Sequence, residues 1–336
     1  MFEESIGVWS TIFEGGKAYR LGVISASGNL RKTNAGSLEL LLIGAGGTGG
    51  SMAVGQSGGG GGAGSVQIAS IDLPTGVYPL RIGAAPVASL STGGDTTGFG
   101  LTALGGGGGG TGGGNNRDGK PGGNGGGAGA SGGIGGVGLQ GNAGGSGFNG
   151  LVELRAGGGG GSTSEIGRNG ARATGGLGGR ATTVSFFGDI RAMAPGGNGG
   201  DVSVSAPPTG YDSPGAGGPA GQSYPAQSGI VAVRYELPVL TLTGGGDLPA
   251  LTGAGTLQGI LSLTADAALP ALIGGGDLQS ILLLAADAPL PALTGSGAFE
   301  WLYRARGRVA TAESSGVRSA GKDGRITSTG NSGRII

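Results

Sequence analysis

The sequence predicts an all-β protein: a β-sandwich-like glycine-rich domain with polyglycine-II-type segments, followed by short-strand β-repeats. Three observations predict it. Glycine supplies 89 of the 336 residues, and each helical glycine costs about 1 kcal/mol relative to alanine, so the middle of the chain cannot hold a respectable helix. The glycine is framed by runs with strand character. Residues 240–302 then repeat with a period of 21.

Four zones separate by composition. Residues 1–37 are ordinary and carry Phe2, Trp9, Phe13 and Tyr19; they are expected to be an N-terminal attachment segment. Residues 38–236 hold most of the glycine. Residues 237–302 are three 21-residue β-repeats, and 303–336 form a basic tail of short strands. Residues 236–302 carry six acidic side chains and no basic one, whereas 303–336 carry seven basic against two acidic.

The glycine-rich zone opens on Leu38–Ile43. Ser65–Ile71 alternates with period two, as a half-buried strand should. Val77–Ile82 follows a Pro-Thr-Gly turn. Phe99–Leu104 is a fourth strand candidate, Val184–Phe187 and Val202–Val204 are weaker ones, and Gly229–Tyr235 closes the zone. Between them, 26 of the 46 residues in 105–150 are glycine, and from Gly123 to Gly150 glycine recurs at every third position. A three-residue period matches the three residues per turn of a polyproline-II-type helix. Collagen would need proline in the other positions, and 123–150 has none. The expectation is a bundle of short extended helices whose bare glycine faces let backbones approach and hydrogen-bond.

In the repeats, Leu240–Ile260, Leu261–Ile281 and Leu282–Leu302 place Pro249, Pro270 and Pro291 in register. Each unit holds two short apolar segments with Gly/Asp/Ala turns, which fits either a β-solenoid or a β-prism shared between chains. The tail repeats more loosely from Gly307, Gly316, Gly324 and Gly333.

Composition also argues against several functions. The chain has no cysteine and no histidine, which removes thiolate chemistry, the commonest general base and the commonest transition-metal ligand. No secretory signal is read at the N-terminus, and the longest apolar run, Ile281–Ala286, is far too short to span a bilayer. Gly44–Gly49 reads GxGxxG after a strand, but a dinucleotide site needs a helix next, and the following residues are again glycine-rich. Lys17, Lys120 and Lys322 follow glycine without the Ser or Thr of a P-loop. Asp247, Asp266, Asp277 and Asp287 fall at turn positions, where Asx-type bonding accounts for them. The basic tail is too weakly charged for a nucleic-acid arm. No catalytic residues, cofactor or metal are expected, and the protein is expected not to be an enzyme. Contact residues are expected where glycine yields to polar and aromatic side chains: Asn115, Asn116, Arg117, Asp118, Phe148, Asn149, Tyr211 and Tyr224.

The series LLLIGAGGTGG, GGGGGAGSV, LPTGVYPLRIGAA, DTTGFGLTALGGGGGG and SGIVAVRY, spanning about residues 38–236, resembles the glycine-rich domain of bacteriophage tail proteins. It is similar also to phage adhesins whose polyglycine-II cores display host-recognition loops. The resemblance implies a virion structural protein, in a tail fibre or tail tip, contributing to host attachment. The alternative is a purely structural capsid decoration, collar or baseplate protein without receptor binding; a glycan depolymerase is a third possibility from another class. Implied partners are further copies of the chain, as a homo-oligomer and specifically a trimer, other tail or virion proteins, and a bacterial surface receptor. No nucleic acid and no membrane insertion are expected.

Overall fold

A computed structural model describes residues 2–15, 17–51, 57–151, 154–200, 212–221 and 225–237, and beyond them the backbone of nine strands between 239 and 328. The chain divides into two units, Met1–Tyr235 and Glu236–Ile336. Among the described residues there is no α-helix, and the fold is all-β.

The first unit contains β1 (Phe2–Glu3), β2 (Val8–Glu14), β3 (Lys17–Ile24), β4 (Gly28–Lys32), β5 (Gly36–Ile43), β6 (Val66–Leu73), β7 (Gly76–Leu80), β8 (Thr96–Gly98), β9 (Leu101–Ala103), β10 (Thr182–Ser185), β11 (Ile190–Met193) and β12 (Ile230–Glu236). A five-stranded sheet runs β2-β3-β12-β5-β6, and a three-stranded sheet runs β1-β4-β7. The N-terminal strands therefore pair within the same body as the glycine-rich residues. The uninterrupted apolar runs of β5 and β12 have a physical cause: the five-stranded sheet is covered on both faces. Leu38, Leu40, Leu42, Val231 and Val233 pack with Phe2, Leu30 and Leu80 on one side. Leu41, Ile43, Ile230 and Ala232 pack with Val184, Phe186, Phe187 and Met193 on the other. Antiparallel pairing of Ile230 with Ile43 and Val231 with Leu42 sets which side chain meets which layer.

Strands expected at Leu38–Ile43, Ser65–Ile71, Val77–Ile82 and Gly229–Tyr235 match β5, β6, β7 and β12 within a residue or two. The strand expected over Phe99–Leu104 is shorter, because Phe99 (φ 55°) and Gly100 (φ 80°) make the turn of the β8–β9 hairpin. That expected over Val184–Phe187 begins and ends two residues earlier, leaving Phe186 and Phe187 to fill the core below it. Val202–Val204 lies outside the described residues.

Extended glycine rods leave the ends of these strands. The central rod, Gly58–Gly64, has three residues per turn, so successive N–H groups point about 120° apart. It donates to three neighbours: Gly59 and Gly62 to Gly110 and Gly107, Gly60 and Ala63 to Gly158 and Gly161, Gly61 and Gly64 to Gly218 and Gly215. It accepts from three more: Gly47 and Gly50 donate to Gly62 and Gly59, Gly127 donates to Gly60, and Gly197 and Gly200 donate to Gly61 and Gly58. Six rods thus surround one, and its buried backbone groups are paired without a β-sheet. A Cβ on Gly60 would lie 1.9 Å from the Gly197 carbonyl oxygen, and one on Gly61 would lie 2.0 Å from that of Gly47. Only glycine permits this spacing. The every-third-residue glycines of 123–150 do not form one helix; the chain turns at Ser131–Gly132, both with positive φ, and again near Gly141.

In the second unit, β13 (Val239–Gly244), β15 (Leu257–Ala265), β17 (Leu278–Ala286) and β19 (Phe299–Tyr303) stack in parallel, and so do β14 (Leu251–Ala254), β16 (Leu272–Gly275) and β18 (Leu293–Ser296). Leu240, Leu261 and Leu282 are paired in series, as are Leu251, Leu272 and Leu293. Each 21-residue unit is one two-stranded coil, the solenoid arrangement. The last coil is two residues short: Leu282 pairs Trp301. Two further strands, β20 (Val317–Ala320) and β21 (Arg325–Ser328), close that sheet antiparallel. The tail units at Gly307 and Gly333 lie outside the described residues.

Candidate functional site

The rods have two unlike ends. One is rooted in the sandwich, where β5 runs on into Gly44, Ser65 leads into β6, and β9 runs on into Leu104. Polar side chains staple this end. Asn124, fully buried, donates through Nδ2 to the carbonyls of Ala63 (3.0 Å) and Gly64 (3.2 Å), and its Oδ1 accepts from the Asn142 N–H at 3.0 Å. Thr96 donates to the Ile43 carbonyl at 2.7 Å and accepts from the Gly83 N–H at 3.0 Å. Gln140 receives the Leu104 N–H and donates to the Thr102 carbonyl. These side chains supply the register that glycine, lacking a side chain, cannot.

The other end is free of the sandwich. At about 3.1 Å per residue, a seven-residue rod holds its turn roughly 20 Å away. Here lie the turns around 112–117, 131–133, 148–151 and 170–174. Of the predicted contact residues, Asn115, Asn116, Arg117, Asp118 and Asn149 are exposed and Phe148 is half-buried. The first turn is held by Thr111, whose N–H donates to the Asn116 carbonyl at 2.7 Å and whose Oγ1 donates to Gly113 at 2.6 Å. Arg117 donates through Nε to the Gly114 carbonyl at 2.9 Å and reaches Ser131 at 3.4 Å, while its own carbonyl accepts from Gly129. Asp118 Oδ1 accepts the Ile134 N–H at 2.8 Å. Arg117 and Asp118 thus shape the surface as well as line it.

The Ser131 turn joins the two predicted groups. Ser131 donates to the Phe148 carbonyl, and Phe148 donates to that of Ala156. Ser131 (φ 73°) and, further along, Ala173 (φ 54°) occupy a region that side chains seldom adopt. Tyr211 and Tyr224 lie outside the described residues.

Sequence reasoning missed Leu151, Arg155 and Arg172 at the same end. Leu151 is 78 % exposed; Arg155 donates to the Gly150 carbonyl at 3.3 Å, and Arg172 is exposed. Their signal was present, since each interrupts glycine-rich sequence with a large side chain. The amides of the GxGxxG stretch are spent on the lattice: Gly46 donates to Gln227, Gly47 to Gly62 and Thr48 to Ser91.

Buried charge lies elsewhere, in the sandwich. Burial lowers the pKa of the Lys32 ammonium against the raising influence of Asp72, and Lys32 donates to the carbonyls of Asn34 and Gly36. For Arg234, burial opposes the charge, but the hydrogen bonds it donates to Glu39 and Glu14 more than offset this and raise its pKa. Among the described residues no cluster of three acidic side chains is placed to hold a metal ion, and no helix is long and apolar enough to cross a membrane.

A family model described as a glycine-rich domain matches residues 25–236. The chain belongs to this glycine-rich domain family. No curated protein matches it.

Proposed function

We propose that this chain is a bacteriophage virion protein, a tail-fibre or tail-tip component whose free rod ends contact the bacterial surface. The observation that carries the proposal is the division of the rod array into a stapled end and a free end. A rigid lattice presents Asn115–Asp118 and Phe148–Asn149 side by side, and binding groups tend to sit on loops held by a rigid scaffold. The proposal assigns the protein to the virion surface and assigns it no catalysis. It also expects assembly with other tail proteins and with further copies of the chain as a trimer.

The test is binding of the purified full chain to susceptible and to receptor-negative cells. Selective binding that falls when Asn115 and Asn116 are both changed to alanine is expected. Equal association with both cell types would instead favour a purely structural place in the particle. Sedimentation at micromolar concentration tests self-association, and a stable monomer at low and high salt alike would reject the trimer.

A further inference from the structure

The chain contains four Asn-Gly pairs: Asn124-Gly125, Asn149-Gly150, Asn169-Gly170 and Asn198-Gly199. Asparagine before glycine is prone to spontaneous loss of its side-chain amide. The nitrogen of the following glycine attacks the asparagine Cγ, because no Cβ obstructs it. That reaction requires two things: a main-chain N–H not held elsewhere and an amide side chain free to turn onto it.

The lattice denies both conditions at three of the four pairs. Asn124 is fully buried with both amide atoms bonded, and Gly125 donates to the Asn142 carbonyl at 2.9 Å. Asn198 is 5 % exposed; its Oδ1 accepts from Gly178 at 2.8 Å, and Gly199 donates to Gly176 at 2.8 Å. Asn169 is exposed, yet its Oδ1 accepts the Ser146 N–H at 2.8 Å while Gly170 donates to the Ser146 carbonyl at 2.9 Å. Asn149 differs. It is exposed in a turn at the free end, and among the described residues neither its side chain nor the Gly150 N–H makes a hydrogen bond.

We propose that Asn149 is a site of spontaneous deamidation in the folded protein, selected from four chemically equivalent pairs by the hydrogen bonding of the rods. The Gly150 nitrogen loses its proton and forms a bond to Asn149 Cγ. Ammonia leaves, and a five-membered succinimide remains. Water then opens either carbonyl, giving aspartate or isoaspartate. The net change converts an amide and water into a carboxylate and ammonium, with no oxidant or other reactant. The product carries a new negative charge beside Phe148, and the isoaspartate form lengthens the main chain by one carbon at that turn.

The experiment is peptide mapping by mass spectrometry of the full chain held at mildly alkaline pH, native and in denaturant. In the native protein, conversion at Asn149 is expected to lead the other three several-fold, as a mixture of aspartate and isoaspartate. In denaturant the four pairs are expected to convert at similar rates. An Asn149→Gln variant should lose the native product while keeping the native melting temperature. Equal conversion at all four pairs in the native protein overturns the proposal. So does a lead by Asn124, Asn169 or Asn198, or an inert Asn149 where the denatured chain reacts. The readout is covalent, so it stands or falls independently of receptor binding.

Discussion

Arg234 on β12 donates through Nη1 to the Glu14 carboxylate on β2 at 2.5 Å, although 220 residues separate them. The same guanidinium binds Glu39 on β5 at 2.7 Å and lies over the rings of Tyr19 and Phe186 at 4.9 and 4.8 Å. Arg234 is 8 % exposed. Changing it to alanine removes two ion pairs and leaves both carboxylates without their cation. Loss of one partner of a fully buried pair costs about 3–5 kcal/mol. Because both carboxylates are about a third exposed, roughly 2–3 kcal/mol is expected here. Denaturant unfolding of Arg234→Ala measures it, and a cycle with Glu14→Gln should show strong coupling.

The rod lattice should punish side chains according to the backbone they meet. Gly60→Ala sets a methyl 1.9 Å from a carbonyl oxygen in the central rod and should prevent native assembly. Gly28→Ala, with ordinary contacts at 3.6 Å to Ile6, should change stability by less than about 0.5 kcal/mol. Gly135→Val and Gly138→Val would place Cβ at 2.0 and 2.5 Å from carbonyls of an adjoining segment. Both should lower the melting temperature, since an outer rod can shift but not without straining the bond from the Gly144 N–H to the Gly136 carbonyl.

Tyr235 supplies a pH signature. Burial, aided by Glu4, raises its phenol to about 12 from an ordinary 10. The unfolded chain therefore releases this proton first. The contribution is whole below pH 10 and is lost as pH rises towards 12. A two-unit gap corresponds to at most about 2–3 kcal/mol, less after screening at a partly exposed ring. Tyr235→Phe should flatten this part of the stability–pH profile, which chemical unfolding across the alkaline range would reveal.

The solenoid can be lengthened in whole coils. A duplicated Leu261–Ile281 should add one strand to each parallel sheet, because Leu261 pairs both Leu240 and Leu282. Inserting only half a unit breaks that register. Circular dichroism and amide exchange should show added protected strand in the first case and lost protection in the second.

Legibility in the sequence followed the side chains. β5, β6 and β12 were legible because apolar residues mark a strand's faces, and the glycine period was legible because three residues per turn leave a trace. The strands of residues 2–32 were not read. Trp9 faces Gly22 across β2 and β3, its ring filling the space above a residue that lowers strand propensity in the sequence. Which rod lies beside which was hidden for a different reason: glycines are interchangeable, and partner choice rests on scattered staples such as Asn124 and Thr96. Of the contact residues, Asn115–Asp118 and Phe148–Asn149 proved adjacent only through the Ser131 turn, a link that separation along the chain conceals.

Because the rods are joined by amides and carbonyls with few apolar side chains between them, their melting should carry an unusual thermal signature. Exposing apolar surface raises the heat capacity of unfolding, whereas exposing peptide groups lowers it. The first unit should therefore fall below the usual ~12–15 cal/mol/K per residue. A small heat-capacity increment flattens the dependence of stability on temperature, so the rod array should be nearly as secure in the cold as at its optimum.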